Sequence, residues 1–234
     1  MPTERHVLIT GASRGLGLAL AEHFLARGDV VYGCARGDSA LSHERYAHVR
    51  ADVSREADVE AVFGVIRQRG ARLDVLINNA GLAGMNPAAL TTLEGARRIV
   101  DANFIGTFLC SRAAIRLLRA SPAGRIVNLT TVAVPLRLDG EAVYAASKSA
   151  IETFTRILAR EVAGLGITCN AVGPSPIRTR LTESLPEATM KQLLERQAIP
   201  RWAEAADVAN VVDFFLRPES GLVTGQVVYL GGVG

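Results

Sequence analysis

The chain has 234 residues, 49% of them hydrophobic and 21% charged, with 26 Lys and Arg against 23 Asp and Glu for a net charge of +3. That composition predicts a soluble globular protein with a good core, long enough for one large α/β domain or two small ones, and because its bases are scattered among acids it excludes a nucleic-acid-binding surface. Disulfides, metal and membrane spans are excluded too: Cys34, Cys110 and Cys169 are odd in number and set in apolar stretches, His6, His23, His43 and His48 have no ligand spacing, and no apolar run reaches the roughly 18 residues of a span.

His6 to Thr10 is a short apolar run that enters the glycine-rich turn Gly11-Ala-Ser-Arg-Gly-Leu-Gly17. A helical pattern follows from Leu18 to Arg27, with Leu18, Ala21, Phe24 and Leu25 on one face. Strand, glycine turn and helix is the context in which backbone N–H groups and a helix dipole cradle a pyrophosphate. Gly11, Ser13, Arg14, Gly15, Leu16 and Gly17 are therefore candidate cofactor contacts. Val30 to Cys34 is a second strand, and its end holds Ala35-Arg36 with no acid before Asp38. An acid there would bind a ribose 2′-hydroxyl, whereas Arg36 together with Arg14 favours the 2′-phosphate of NADP(H).

Residues 39–46 predict a short helix and residues 47–51 a strand. Asp52-Val53 follows, and Asp52 suits an adenine amino group or, equally, the cap of a helix starting near Ser54. Glu56 to Gln68 is helical, and Leu73 to Ile77 is a buried strand leading into Asn78-Asn79-Ala80-Gly81. Small residues and amides at a strand's carboxyl end suit a bound ligand. Leu93 to Leu118 is a long helical pattern with a break at Gly106, and it carries a polar Asn103 among Ile99, Val100, Phe104 and Ile105. Gly124 to Leu129 is another buried strand, delivering Thr130 and Thr131 to the ligand side. A helix over residues 143–162 carries Tyr144 and Lys148. A strand from Ile167 to Val172 enters the rigid loop Gly173–Thr179, and the amphipathic stretch Leu181–Gln197, with Pro186 and Pro200 beside it, reads as a substrate lid within residues 175–203. A helix from Asp207 to Leu216 and a strand from Gln226 to Leu230 complete the alternation. The pattern predicts one α/β domain over residues 1–234: a Rossmann fold with a doubly wound, seven-stranded parallel sheet and helices on both faces. The N-terminus reads as free of a signal peptide, which places the expected location in the cytoplasm.

Tyr144 and Lys148 are four residues apart, so on a helix they leave one face a turn apart. A cation beside a phenol stabilises the phenolate and lowers its pKa from about 10 towards neutrality, giving a usable proton donor and acceptor. Only two of the 26 basic residues are Lys, Lys148 and Lys191, and Lys can share its proton where Arg cannot.

Taken together, T-G-A-S-R-G-L-G (10–17), D-V (52–53), N-N-A-G (78–81), Asn103, Y-A-A-S-K (144–148) and N-A-V-G-P (170–174) resemble, in order and spacing, the single-domain short-chain dehydrogenases/reductases. The resemblance covers essentially the whole chain. It implies Tyr144 as proton donor or acceptor, Lys148 as the group that holds the nicotinamide ribose and lowers the Tyr pKa, and Asn103 as the anchor of a water linking Lys148 to solvent. It also implies cofactor contacts at Asp52, Val53, Asn79, Ala80, Gly81, Tyr144, Lys148, Pro174, Ile177 and Thr179. Thr131 stands thirteen residues before Tyr144, where the family usually has Ser, and Ser175 stands where it commonly has Gly. A Thr hydroxyl makes the same hydrogen bond, with a methyl that restricts its rotamer. The reaction implied is hydride transfer from NADPH to a carbonyl carbon, with Tyr144 supplying the proton and Thr131 and Tyr144 donating hydrogen bonds to the oxygen.

Within the family, I-P-R-W-A-E-A-A-D-V-A and T-G-Q-V-V-Y-L-G-G resemble the 3-oxoacyl-carrier-protein reductases most. The substrate expected is a β-keto acyl thioester, free or on a carrier protein, as in fatty-acid or polyketide-type synthesis. Basic residues that such enzymes place to meet the acidic carrier appear here as Pro122 and Leu165, with Arg116, Arg119 and Arg125 as substitutes. A tailoring reductase or dehydrogenase of a small alcohol, sugar or secondary metabolite is the alternative, and a non-catalytic NADP-binding sensor the remote one. Relatives pair through helices corresponding to about 93–118 and 143–163 and through the last strand, so a homotetramer or homodimer is expected.

Overall fold

A computed structural model describes residues 4–70, 72–178 and 187–233. Seven strands form one parallel sheet: β1 (His6–Thr10), β2 (Val30–Ala35), β3 (Tyr46–Arg50), β4 (Val75–Asn78), β5 (Gly124–Leu129), β6 (Ile167–Gly173) and β7 (Val227–Tyr229), in the order β3-β2-β1-β4-β5-β6-β7. β1 pairs with both β2 and β4, as in Ile9 with Gly33 and with Ile77. The chain therefore winds outward in two directions from β1, and the crevice at that reversal opens beyond the strands' carboxyl ends.

The helices are α1 (Gly15–Ala26), α2 (Glu56–Gln68), α3 (Leu93–Val100), α4 (Gly106–Leu118), α5 (Ala133–Leu136), α6 (Ala142–Ala163), α7 (Glu187–Glu195) and α8 (Ala205–Leu216). One core packs Val59, Phe63, Leu109 and Leu158 of α2, α4 and α6 against Leu8, Leu76 and Ile126. The other packs Leu20, Phe24, Val212 and Phe215 of α1 and α8 against Val7, Ile9, Ile77 and Val127. Alternate residues of each central strand serve opposite cores, which is why those strands read as unbroken apolar runs.

Three segments differ from the sequence expectation. Residues 39–46 are not helical: Ser39 Oγ accepts from Leu41 N at 3.2 Å and Tyr46 OH donates to Ser39 Oγ at 3.4 Å, so side-chain bonds hold a loop. Gly106 does not break the long helix. A π-type turn at Asp101–Ile105 joins α3 to α4, and Gly106 lets α4 approach β3's exit, since a Cβ there would lie 2.6 Å from Val53 Cγ2. The short α5 was not anticipated; it ends at Arg137, whose left-handed φ of 50° turns the chain back towards α6.

Buried amides tie the sheet to the helices below the crevice. Asn78 Nδ2 donates to Asn128 Oδ1 at 2.8 Å and to Ser111 Oγ at 2.9 Å, and Asn128 Nδ2 donates to Thr155 Oγ1 at 2.8 Å. Asn128→Ala strands two of these groups away from water. The variant is expected to lose roughly 2–4 kcal/mol of stability, read as a lowered urea midpoint; an unchanged midpoint would mean the network contributes no net stability.

Candidate active site

The crevice at the strand ends holds a cavity of about 1070 Å³. At one end lies the turn between β1 and α1. Gly11 adopts φ 70°, and a Cβ on Gly17 would sit 2.3 Å from Gly11 O, so the turn closes only with glycine at both positions. Gly11 N is held by Cys34 O at 2.7 Å, and Asn79 Nδ2 donates to Thr10 O at 2.9 Å, fixing the turn between β2 and the end of β4. Thr10 Oγ1 accepts from Asn79 N and Ala80 N at 3.0 and 2.9 Å. The result is a pocket of backbone at the N-terminus of α1, where Cβ atoms are excluded; it fits a pyrophosphate.

Beside it, Arg14, Arg36 and Asp52 line the cavity. Among the described residues neither arginine has an ion-pair partner within 4 Å. Asp52 Oδ1 accepts from Ser54 N and Ser54 Oγ at 3.0 and 2.7 Å, so the acid makes the local turn that precedes α2. Burial pulls its carboxyl up, but those bonds and the charges of Arg36 and Arg55 hold it below its ordinary value.

The other end holds Thr131, Tyr144 and Lys148. Thr131 at the exit of β5 lines the cavity with Tyr144, and its hydroxyl acts to lower the pKa of the Tyr144 phenol. Tyr144 and Lys148 come from the first turns of α6 and are only 8% and 5% exposed. Lys148 Nζ donates to Leu129 O at 2.8 Å. Asn103, at the π-type turn, is fully buried: Nδ2 donates to Leu82 O and to Ser147 Oγ, both at 2.9 Å, and Oδ1 accepts from Leu82 N at 2.7 Å. Ser147 Oγ in turn donates to Tyr144 O at 2.7 Å. Asn103 thus joins the loop after β4 to the helix that carries the Tyr. Where Gly81 lacks a Cβ, Asn103 Oδ1 and Lys148 Nζ both come within 3.4 Å of the vacant position.

The sequence expectation that Lys148 lowers the phenol's pKa is not met by the protein alone. Burial pushes Tyr144 up to about 12, with the Thr131 hydroxyl pulling it back and the charge of Glu141 adding to the rise. Burial also brings Lys148 down to about 8. Desolvation keeps the Tyr144 phenol protonated and favours the neutral amine at Lys148, but with a pKa of about 8 Lys148 is still mostly an ammonium at neutral pH.

Gly11, Ser13, Arg14, Gly15, Leu16, Gly17, Arg36, Asp52, Val53, Asn79, Ala80, Gly81, Thr131, Tyr144, Lys148, Pro174 and Ile177 all line the one cavity, and Asn103 supports it from behind. Thr179 and residues 180–186 of the expected lid lie outside the described residues. The described part of that segment forms α7, which brings Met190 and Leu193 over the cavity. They belong to an apolar cluster with Val132, Leu136 and Val233. Ser175 is buried and donates to Gln197 Oε1, fastening the base of the segment. Arg125 is 5% exposed and donates to Gly124 O at 3.1 Å, so it is withdrawn from the surface where a partner was expected to meet it; Arg116 and Arg119 remain exposed. Glu141, three residues before Tyr144, also lines the cavity and was not singled out from the sequence. Its signal was available, an acid at the start of a helix beside a candidate proton donor.

The sequence model of a family described as Enoyl-(Acyl carrier protein) reductase matches residues 11–232. The 3-oxoacyl-[acyl-carrier-protein] reductase of Escherichia coli K12 is 34% identical over 231 residues, covering 96% of this chain and 95% of the relative. The 2-(R)-hydroxypropyl-CoM dehydrogenase of Xanthobacter autotrophicus is 35% identical over 243 residues, covering 97% of each chain. Among solved structures, ligand-free aldohexose dehydrogenase from Thermoplasma acidophilum superposes with a TM-score of 0.90 at 29% identity, over 98% of this chain and 94% of its own. A 4-hydroxyisoleucine dehydrogenase complexed with NADH superposes with a TM-score of 0.91 at 25% identity, over 98% of both chains.

The pKa of Lys148 has a consequence for stability. It is depressed from 10.5 to about 8 in the fold, so between those values the unfolded chain binds the extra proton and stability rises with pH. Lys148→Met removes the buried charge. It is expected to raise stability at pH 7 by roughly 1–3 kcal/mol, a gain that fades as pH climbs from 8 to 10.5. Urea denaturation at the two ends of that window checks it, and a destabilised variant at pH 7 would show the ammonium to be net stabilising.

Proposed function

The chain belongs to the short-chain dehydrogenases/reductases, nicotinamide-dependent oxidoreductases that act on CH–OH and C=O groups, and from this we propose an NADPH-dependent reductase of β-keto acyl thioesters. The observation that carries the reaction is the meeting of the Thr131 hydroxyl, the Tyr144 phenol and the Lys148 ammonium in one cavity with a glycine cradle at its far end. A bound nicotinamide supplies the hydride. Every other step falls to the chain's own residues. Thr131 and Tyr144 donate hydrogen bonds to the substrate oxygen, where negative charge grows as the carbonyl is reduced. Tyr144, kept protonated by burial, is poised to give its proton to that oxygen, because an alkoxide is the stronger base. Lys148 then sits where its ammonium compensates the phenolate, which is costly to leave unpaired at such depth. Asn103 Oδ1 has a second lone pair beside the gap under Gly81, and we place the relay water to Lys148 there.

Arg14 and Arg36, free of ion-pair partners among the described residues, support a 2′-phosphate, as does the lack of an acid at the end of β2. The apolar wall of Val132, Leu136, Met190 and Leu193 supports an acyl chain, and α7 is read as part of a lid over it. The similarity to 3-oxoacyl reductases supports the thioester. The exposed Leu93, Val100 and Ile157 on α3 and α6 support pairing of two or four copies through that face, and no described helix is long and apolar enough to cross a membrane.

Purified protein with NADPH and acetoacetyl thioesters, free and carrier-bound, tests the reading. Tyr144→Phe is expected to lower turnover by at least a hundredfold with NADPH binding retained; appreciable residual reduction would remove Tyr144 from its role. Arg36→Ala is expected to weaken NADPH at least tenfold more than NADH, measured by fluorescence titration, and equal losses would contradict the 2′-phosphate assignment.

A further inference from the structure

Glu141 is the residue immediately preceding α6, where an acid ordinarily caps the helix and meets its positive dipole. Here its side chain makes no capping bond. It lines the cavity instead, 7% exposed, and Oε2 is closed off from solvent with no hydrogen-bond partner. Among the described residues its carboxylate has no ion pair either. It lies three residues before Tyr144 and lines the same cavity, and its charge adds to the rise in the Tyr144 pKa.

The residue is held there by its neighbours. Leu138 O accepts from Glu141 N at 3.2 Å, and Glu141 O accepts from Ala145 N at 2.7 Å. Gly140, at φ 80°, accepts from Asn86 N at 2.7 Å, tying this loop to the segment after β4. Val132, Leu138, Met190 and Leu193, which belong to one apolar cluster, line the cavity as well. A carboxyl so placed is costly unless it is neutral or meets a partner. Burial alone brings it up to about 7, so near neutrality a large share is a carboxylic acid, able to donate a hydrogen bond.

We infer that Glu141 is a specificity residue that donates a hydrogen bond to a second, uncharged oxygen of the substrate close to the reacting carbonyl, and that it disfavours substrates carrying a carboxylate at that place. The inference rests on Tyr144 marking the reacting carbonyl. It deepens the reading of a β-keto thioester, whose second carbonyl is such an oxygen, over the corresponding free keto acid, whose carboxylate forces two acids together or demands a second buried proton. The carboxylic acid is matched to a neutral acceptor. Arg98 and Lys148 also line the cavity. Among the described residues neither forms an ion pair with Glu141 within 4 Å.

The test compares substrates in pairs, with NADPH, on the whole enzyme. The first pair is pentane-2,4-dione against pentan-2-one, which differ by the second oxygen. Glu141→Leu is expected to lower the diketone-to-monoketone ratio of kcat/KM at least tenfold, and Glu141→Gln, which keeps a donor of the same shape, to hold it within threefold of the natural enzyme. The second pair is methyl acetoacetate against acetoacetate. Here Glu141→Gln, which cannot ionise, is expected to shrink the preference for the ester at least fivefold. A ratio that Glu141→Leu leaves unchanged overturns the inference, as does a Gln variant that behaves like Leu or keeps the full ester preference. If the Leu variant does not fold, the ester and acid pair in the isosteric Gln variant decides alone. A natural enzyme that prefers the diketone through Glu141 yet reduces no thioester refutes the thioester reading and keeps this one. An enzyme that reduces thioesters with no dependence of the ratios on Glu141 does the reverse, and one that reduces none of these carbonyls overturns both.

Discussion

The site depends on one buried amide. Asn103 spends both of its Nδ2 hydrogens, on Leu82 O and Ser147 Oγ, and accepts from Leu82 N through Oδ1. These bonds fix the loop after β4 against α6, and through Ser147 they reach the backbone of Tyr144 itself. The amide can do this only because the π-type turn at Asp101–Ile105 rotates it inward; a regular α-helix would carry the i→i+4 ladder through this point. The turn's free carbonyl does not go unpaired, since Asn103 O accepts from Thr107 Oγ1 at 2.7 Å. An irregular turn, normally a weakness, is here satisfied by side chains, so the strain stays local and the positioning is rigid.

Around this clamp the fold accepts buried groups that cost stability. Lys148 is a cation with one carbonyl for company, Tyr144 a phenol pushed to about 12 and Glu141 a carboxyl brought up to about 7. None is paired by charge with another as a structural salt bridge would be. Their penalties act with opposite pH dependence. The Lys148 term relaxes as pH rises towards 10.5, whereas the Glu141 term grows between 4.5 and about 7, where the unfolded chain has already lost its proton. Such a set is poorly explained as architecture. It fits a cavity whose groups are completed by a ligand, and stability given up at a site of this kind is recovered when the ligand binds.

Most of this was legible from the sequence for a definite reason. Strands buried on both faces become continuous apolar runs, the glycine turn follows from the close approach of Gly17 to Gly11 O, and Tyr144 and Lys148 share a face whenever their segment is helical. What was not legible depends on contacts far along the chain. A pattern of period 3.6 cannot show that one turn before Gly106 is wider than the rest, so the irregularity was assigned to the glycine. Arg125 has the composition of a surface base, and only its place at the start of a central strand buries it. Glu141 was not singled out because it shares the cavity with Met190 and Leu193, some fifty positions later, which no local pattern records.

The two ends of the cavity therefore divide recognition between them by different physics. At the glycine turn the lining is largely backbone, and the charges on Arg14 and Arg36 lie towards solvent, where salt screens them. At the α6 end the contacts are side chains in an apolar enclosure, where a single unpaired charge is expensive and a hydrogen-bonding oxygen is rewarded. Thr131 belongs to this second end. Its extra methyl narrows the space beside the reacting oxygen while its hydroxyl still acts on the phenol. Thr131 and Glu141 line the cavity together with Tyr144. The departure from the usual serine is then better read together with Glu141, as part of how this chain chooses its carbonyl, than as a weakening of the catalytic group.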